Sequence, residues 1–160
     1  MGLLPPDADE RLHRLHAYWN GLRPAPDLLP GRQHFDPVDI PALLPYLWLL
    51  DVSRDPLRFR YRLSGTELVK AMGADFNGKY LDEIRGDFAN TTTGLQHAEV
   101  VRTGAPAFRE GWPTLHQGME FRWMQRLVLP LARDGKTVDI VLGIGVYDDQ
   151  TKRINRPPAS

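Results

Sequence analysis

The sequence predicts an α+β domain: a five-stranded antiparallel sheet with short helices between strands 2 and 3 and an amphipathic helix ahead of it. Three observations carry the prediction. Leu57, Phe59, Tyr61 and Leu63 alternate with Arg58, Arg60 and Arg62, the period of a strand with one wet face. A middle stretch punctuated by Gly73, Gly78 and Gly104 offers only short apolar runs, which suit short helices. After Pro106 the chain is strand-like almost to its end, and Asp134-Gly135 marks a tight hairpin turn.

A chain of 160 residues buries enough surface for one core, so one domain is expected over residues 7–148, with flexible ends at 1–6 and 149–160. Asp7 and Glu10 have the spacing of a capping box, and Leu12, Leu15, Trp19 and Leu22 then recur on one helical face, predicting a helix over 7–20. That stripe must dock on the sheet or on a second copy of the chain. Prolines at 24, 26, 30, 37, 41 and 45 forbid a long element and predict an ordered connector with short helical turns.

Tyr46 to Val52 is apolar enough for a strand covered on both faces, and Asp55-Pro56 turns the chain into the Leu57 to Leu63 strand. Ser64 and Glu67 suggest a second capping box before a short helix over Leu68 to Met72, which Gly73 ends. Asn77-Gly78 is a further turn before Leu81 to Ile84, and a longer helix is expected from Asp87 to Arg102. Strands follow over Ala107 to Thr114, Glu120 to Leu131 and Val138 to Tyr147.

The segment Arg60-Tyr61-Arg62-Leu63-Ser64-Gly65-Thr66-Glu67-Leu68, then Gly73-Ala74-Asp75 and Asn77 to Ile84, is similar to the strand, helix, glycine turn and "D-I" ending of PAS domains. Upstream, Phe35-Asp36-Pro37 and Ile40 to Pro45 resemble a bacterial family of short stand-alone PAS-like proteins. The resemblance covers about residues 10 to 148 and agrees with the element order. It implies sensing or dimerisation and no particular substrate, because the fold hosts many ligands or none.

Composition narrows the chemistry. Twenty basic residues balance twenty acidic ones, so no field draws nucleic acid or an anionic membrane. Without cysteine there is no disulfide, thiolate nucleophile or iron–sulfur site, and the flavin photochemistry of the cysteine type found in light-sensing PAS domains is excluded. A cytoplasmic location is expected. The start has no targeting pattern, and Leu43 to Leu50, interrupted by Pro45, is too short to span a bilayer.

No cofactor is required by any motif. Haem-binding PAS domains use a histidine of the long middle helix, and His97 is the one candidate axial ligand that the resemblance offers. Arg58, Arg60 and Arg62 either hold an anionic partner or guard an edge strand. Gly143-Ile144-Gly145 lacks the third glycine and the following helix of a dinucleotide fingerprint, and no metal-ligand spacing is present.

Tyr61, Leu68, Met72, His97, Phe108 and Trp123 are candidate lining of a pocket between sheet and helices, joined by Trp112, Phe121 and Met124, which equally could fill a core. The expected function is a non-catalytic sensory or interaction module that binds a small apolar ligand or partner and signals in trans. A homodimer through Leu12, Leu15, Trp19 and Leu22 is the expected contact. The alternative is a small cone-shaped α+β enzyme or ligand carrier using Asp75, His97 or Tyr61 in a deep pocket.

Overall fold

The computed structural model describes residues 2–111 and 123–148. Helix α1 (Glu10–Gly21) leads into a connector with single turns of 3₁₀ helix at Arg32–His34, Pro37–Asp39 and Leu44–Tyr46. Strands β1 (Leu47–Ser53) and β2 (Arg58–Ser64) form a hairpin, followed by α2 (Thr66–Met72), α3 (Leu81–Ile84) and α4 (Thr92–Thr103). Strands β3 (Ala107–Gly111), β4 (Trp123–Leu131) and β5 (Ile140–Asp148) close an antiparallel sheet of order β2-β1-β5-β4-β3. The predicted fold class is therefore the observed one.

Local boundaries differ from the sequence reading for identifiable reasons. Helix α1 starts at Glu10, because Asp9 and not Asp7 is the cap: its Oδ1 accepts the Arg11 N–H at 2.9 Å. Ahead of it Leu4 is buried, so packing begins before residue 7. Gly65 caps α2 in place of Ser64, whose hydroxyl is buried with no hydrogen-bond partner. The helix expected from Asp87 is broken into a 3₁₀ turn at Phe88–Asn90 and α4, since the Thr91 side chain accepts from Gly94 N–H and starts a new helix there. Gly73 and Gly104 end α2 and α4 at φ +76° and +67°, left-handed caps as the sequence indicates.

The stripe of α1 is used inside the chain. Leu12 and Leu15 are fully buried and Trp19 is 1% exposed, while Leu22 packs on the same core. The Trp19 indole donates to the Pro130 carbonyl at 2.8 Å, beyond Val128, where β3 stops pairing with β4. The Asp9 N–H donates to Gln125 Oε1 at 2.7 Å, fixing the start of α1 on the same strand. The expected homodimer contact through Leu12, Leu15, Trp19 and Leu22 is corrected accordingly: the sheet already covers those side chains.

Gln125 and Arg126 are neighbours on β4 and point to opposite faces. Gln125 meets α1, whereas Arg126 meets α4, so the sheet is covered on both sides. On the α4 face the Trp48 indole lies across Gly143 and Gly145 of β5. A Cβ at Gly143 would run into the indole, and one at Gly145 would stand 3.0 Å from its Cζ3. The pair of glycines that resembles part of a nucleotide motif is thus a seat for an aromatic ring.

Strand β2 is a sheet edge, and its arginines are paired within the chain. Arg60 and Arg62 both reach Asp51, at 3.1 and 3.2 Å, and the edge itself is covered where Tyr61 N–H donates to the Lys79 carbonyl and Gly78 N–H to that of Tyr61. At the far end, Asp134 Oδ1 accepts the Lys136 and Thr137 N–H groups and Gly135 takes φ +85°, forming the β4–β5 turn. The expected strand residues Trp112 to Thr114 and Glu120 to Arg122, and the tail 149–160, lie outside the described residues.

Candidate functional site

The α4 face of the sheet carries the chemistry. Thr93, Gly94, His97 and Val100 recur on one side of α4 and are buried against the sheet. Phe59 of β2, Phe88 of the 3₁₀ turn and His97 form a triangle of edge-to-face rings with centroids 5.7 to 6.2 Å apart. Outside that triangle opens a cleft of about 110 Å³, walled by Leu57, Phe59, Phe88, Gly94 and Ala98. Arg58 and Asp82 stand at its rim as a bidentate pair, both bonds 2.8 Å, with the guanidinium 3.7 Å over the Tyr80 ring. That guanidinium holds the Asp82 carboxyl below its usual range.

His97 is 2% exposed, and its Nδ1 lies 2.7 Å from the Thr93 carbonyl. A carbonyl can only accept, so Nδ1 carries the proton and Nε2 is left as an acceptor. Nε2 is buried and has no hydrogen-bond partner among the described residues. Burial first, and the charge of Arg126 second, push the His97 pKa down to about 3, with the Thr93 bond acting in the opposite sense. The ring is neutral at physiological pH.

Arg126 is a charge buried on the same face, 5% exposed. Its Nε and Nη2 donate to Gln96 Oε1 at 2.9 and 2.6 Å, and its Nη1 to Thr93 Oγ1 at 3.1 Å. Both partners are neutral, and among the described residues no carboxylate pairs with it. Desolvation, then the charge of Arg109, push its pKa down to about 10, with Tyr147 and Tyr61 opposing. It stays cationic at neutral pH. Arg109 stands directly opposite it on β3, and Arg109 Nη1 is buried without a partner among the described residues.

The expected pocket residues divide between the two sides of the sheet. Tyr61, Leu68, Met72 and His97 are buried on the α4 side, and the Tyr61 hydroxyl approaches Met72 Sδ at 3.7 Å. Burial raises the Tyr61 pKa, so the phenol keeps its proton. Phe108 pairs in register with Leu127, and Trp123 donates to Glu110 at 2.8 Å, so both belong to the α1 side. Trp112 and Phe121 lie outside the described residues. Asp75 is exposed in a turn, where it accepts the Asn77 N–H, and does not join His97 and Tyr61.

The cleft beside α4 is too small for the cofactors associated with this fold. A haem or flavin needs a pocket of several hundred Å³, and the cleft offers about 110 Å³. Phe59 and Phe88 also close on the His97 ring, at 5.7 and 6.1 Å. Among the described residues there is no cluster of three metal-ligating side chains. The sequence reading missed Arg126, although the signal was present: a cation between Met124 and Val128, on the face of a strand that is otherwise apolar.

With this architecture the family can be stated. The profile of the PAS domain family matches residues 8–146, and the chain belongs to that family. Similar solved structures include a sensory box sensor histidine kinase from Vibrio cholerae, 15% identical over 70% of this chain and 88% of that one, TM-score 0.49. The PAS domain of BvgS from Bordetella pertussis is 17% identical over 91% of this chain and 93% of that one, TM-score 0.42. A light-oxygen-voltage domain studied with a flavin analogue is 14% identical over 72% and 85%, TM-score 0.45. No curated protein matches the chain. No helix among the described residues is long and apolar enough to cross a membrane.

Proposed function

We propose that this PAS domain is a non-catalytic sensory module that takes a small ligand on the α4 face of its sheet and passes the signal to another protein in trans. The observation that carries the reading is the stack of features under α4: an open apolar cleft, a ring triangle behind it, a buried His97 Nε2 with no partner among the described residues, and the buried charge of Arg126. Buried polar groups that lack partners cost free energy, which a bound molecule can recover. A ligand held there acts on α4 only by as much as it binds one packing of that helix better than another.

The same features speak against the enzyme reading. A general base works best with a pKa near ambient pH, and that of His97 lies at about 3. Tyr61, His97 and Asp75 do not converge on one pocket.

Filling the cleft tests the reading. Ala98 is half-buried at the cleft wall, so Ala98→Phe is expected to keep the fold and to weaken binding of the protein's ligand at least tenfold. Hydrogen exchange of the wild-type protein with and without that ligand should show protection concentrated in α4. Unchanged exchange across residues 92–103 on ligand binding would reject the reading.

A further inference from the structure

Arg109 and Arg126 are cross-strand partners in register, so their side chains lie on the same face of the sheet. Like charges placed directly opposite repel, and burial strengthens the repulsion. Among the described residues Arg126, 5% exposed, bonds only to Gln96 and Thr93, while Arg109 Nη1 is buried and unpartnered. A guanidinium has five N–H donors. The three bonds to Gln96 and Thr93 leave one N–H on each terminal nitrogen of Arg126 without a partner among the described residues. Close by, His97 Nδ1 bonds the Thr93 carbonyl and Arg126 the Thr93 hydroxyl, and His97 Nε2 is a buried acceptor with no donor among the described residues.

We propose that Arg109 and Arg126 form a binding site for a small carboxylate, whose oxygens they hold while His97 Nε2 accepts a hydroxyl from the same molecule, the chemistry of a 2-hydroxy acid. The proposal deepens the sensory reading and rests on it, because it names the chemical class of the ligand. Two facing cations require an anion, and the neutral imidazole, protonated on Nδ1, requires a donor. One hydroxy acid supplies both.

The test is thermal unfolding of the full chain at fixed ionic strength with glycolate, acetate or inorganic phosphate added. Glycolate is expected to raise Tm saturably, by about 5 to 10 °C at a hundredfold excess over Kd, and acetate is expected to bind at least tenfold more weakly. Arg109→Gln, at a half-buried position near the sheet edge, should unfold cooperatively and lose the glycolate response; Arg126→Gln serves as a second variant. No saturable rise with glycolate, a rise that survives in Arg109→Gln, or a response to phosphate alone would each overturn the proposal. Failure of the two readings is separable. Glycolate bound without any change in α4 exchange keeps the site and removes the sensing, whereas a neutral apolar ligand bound in the cleft, with no carboxylate response, keeps the sensing and removes this site.

Discussion

Trp19→Ala is expected to lower the unfolding free energy by about 3 to 5 kcal/mol, the range for removing a large aromatic side chain from a packed core. Trp19 is 1% exposed, its indole N–H is bound to the Pro130 carbonyl, and Arg23 covers its ring at 4.5 Å. The variant therefore creates a cavity and also leaves a carbonyl of β4 without its donor. Urea unfolding followed by circular dichroism reads the effect as a fall in midpoint at unchanged slope. A loss below about 1 kcal/mol, smaller than any well-packed aromatic gives, would mean that α1 does not dock on this sheet in solution. The stripe would then be free for a second copy.

Acid is expected to unfold the protein through His97 before its carboxylates respond. The pKa of this ring is lowered from 6.5 to about 3 in the folded chain, so between those values the unfolded chain binds a proton that the native state refuses. Its contribution to stability is fully present above the unfolded value and is lost as pH falls, by up to about 1.4 kcal/mol per pH unit. His16, lowered first by burial, adds in the same direction. The carboxyls of Asp82, Asp87, Glu99 and Asp134 are held low by ion pairs or backbone N–H groups, so their contributions are lost only around and below their unfolded values of 3.8 to 4.5. The interval from pH 6.5 to 5 thus isolates the histidines. Wild-type stability should fall across it, while His97→Gln should start lower and fall less steeply, keeping only the His16 share; equal slopes in both proteins would contradict the assignment.

The sequence and the structure agree where the local code is strong. Alternation over Leu57 to Leu63 yields β2, the Asp134-Gly135 pair yields the β4–β5 turn, and Gly73 and Gly104 end their helices. Caps are harder to place, because several oxygen side chains lie within reach of one helix start: Asp9 outcompetes Asp7, and Thr91 splits a helix that periodicity alone runs through. The site was legible only in part. His97 stands out as a lone histidine on a helix, but its meaning depends on Arg126 and Arg109, 29 and 12 residues away in the chain and brought together by strand register. The same holds for Trp48, whose seat on Gly143 and Gly145 exists only once β1 lies beside β5.

The division of Phe108 and Trp123 from Tyr61 and His97 has the same origin. Aromatic residues read as one cavity lining fall on two faces of the sheet, because a strand alternates sides at every residue and the register decides which side each one meets. In place of a deep common pocket stand a core under α1 and, under α4, a small apolar cleft near the buried His97 and Arg126.

Native mass spectrometry of the purified chain, set against its denatured mass, tests the central claim most directly. The account predicts a small non-covalent adduct on the native protein, lost on denaturation, and restored to stripped protein by a mixture of small metabolites but not in the Ala98→Phe variant. A chain that shows its bare mass under both conditions, and stays bare in the presence of that mixture, would contradict a sensory role for the α4 face.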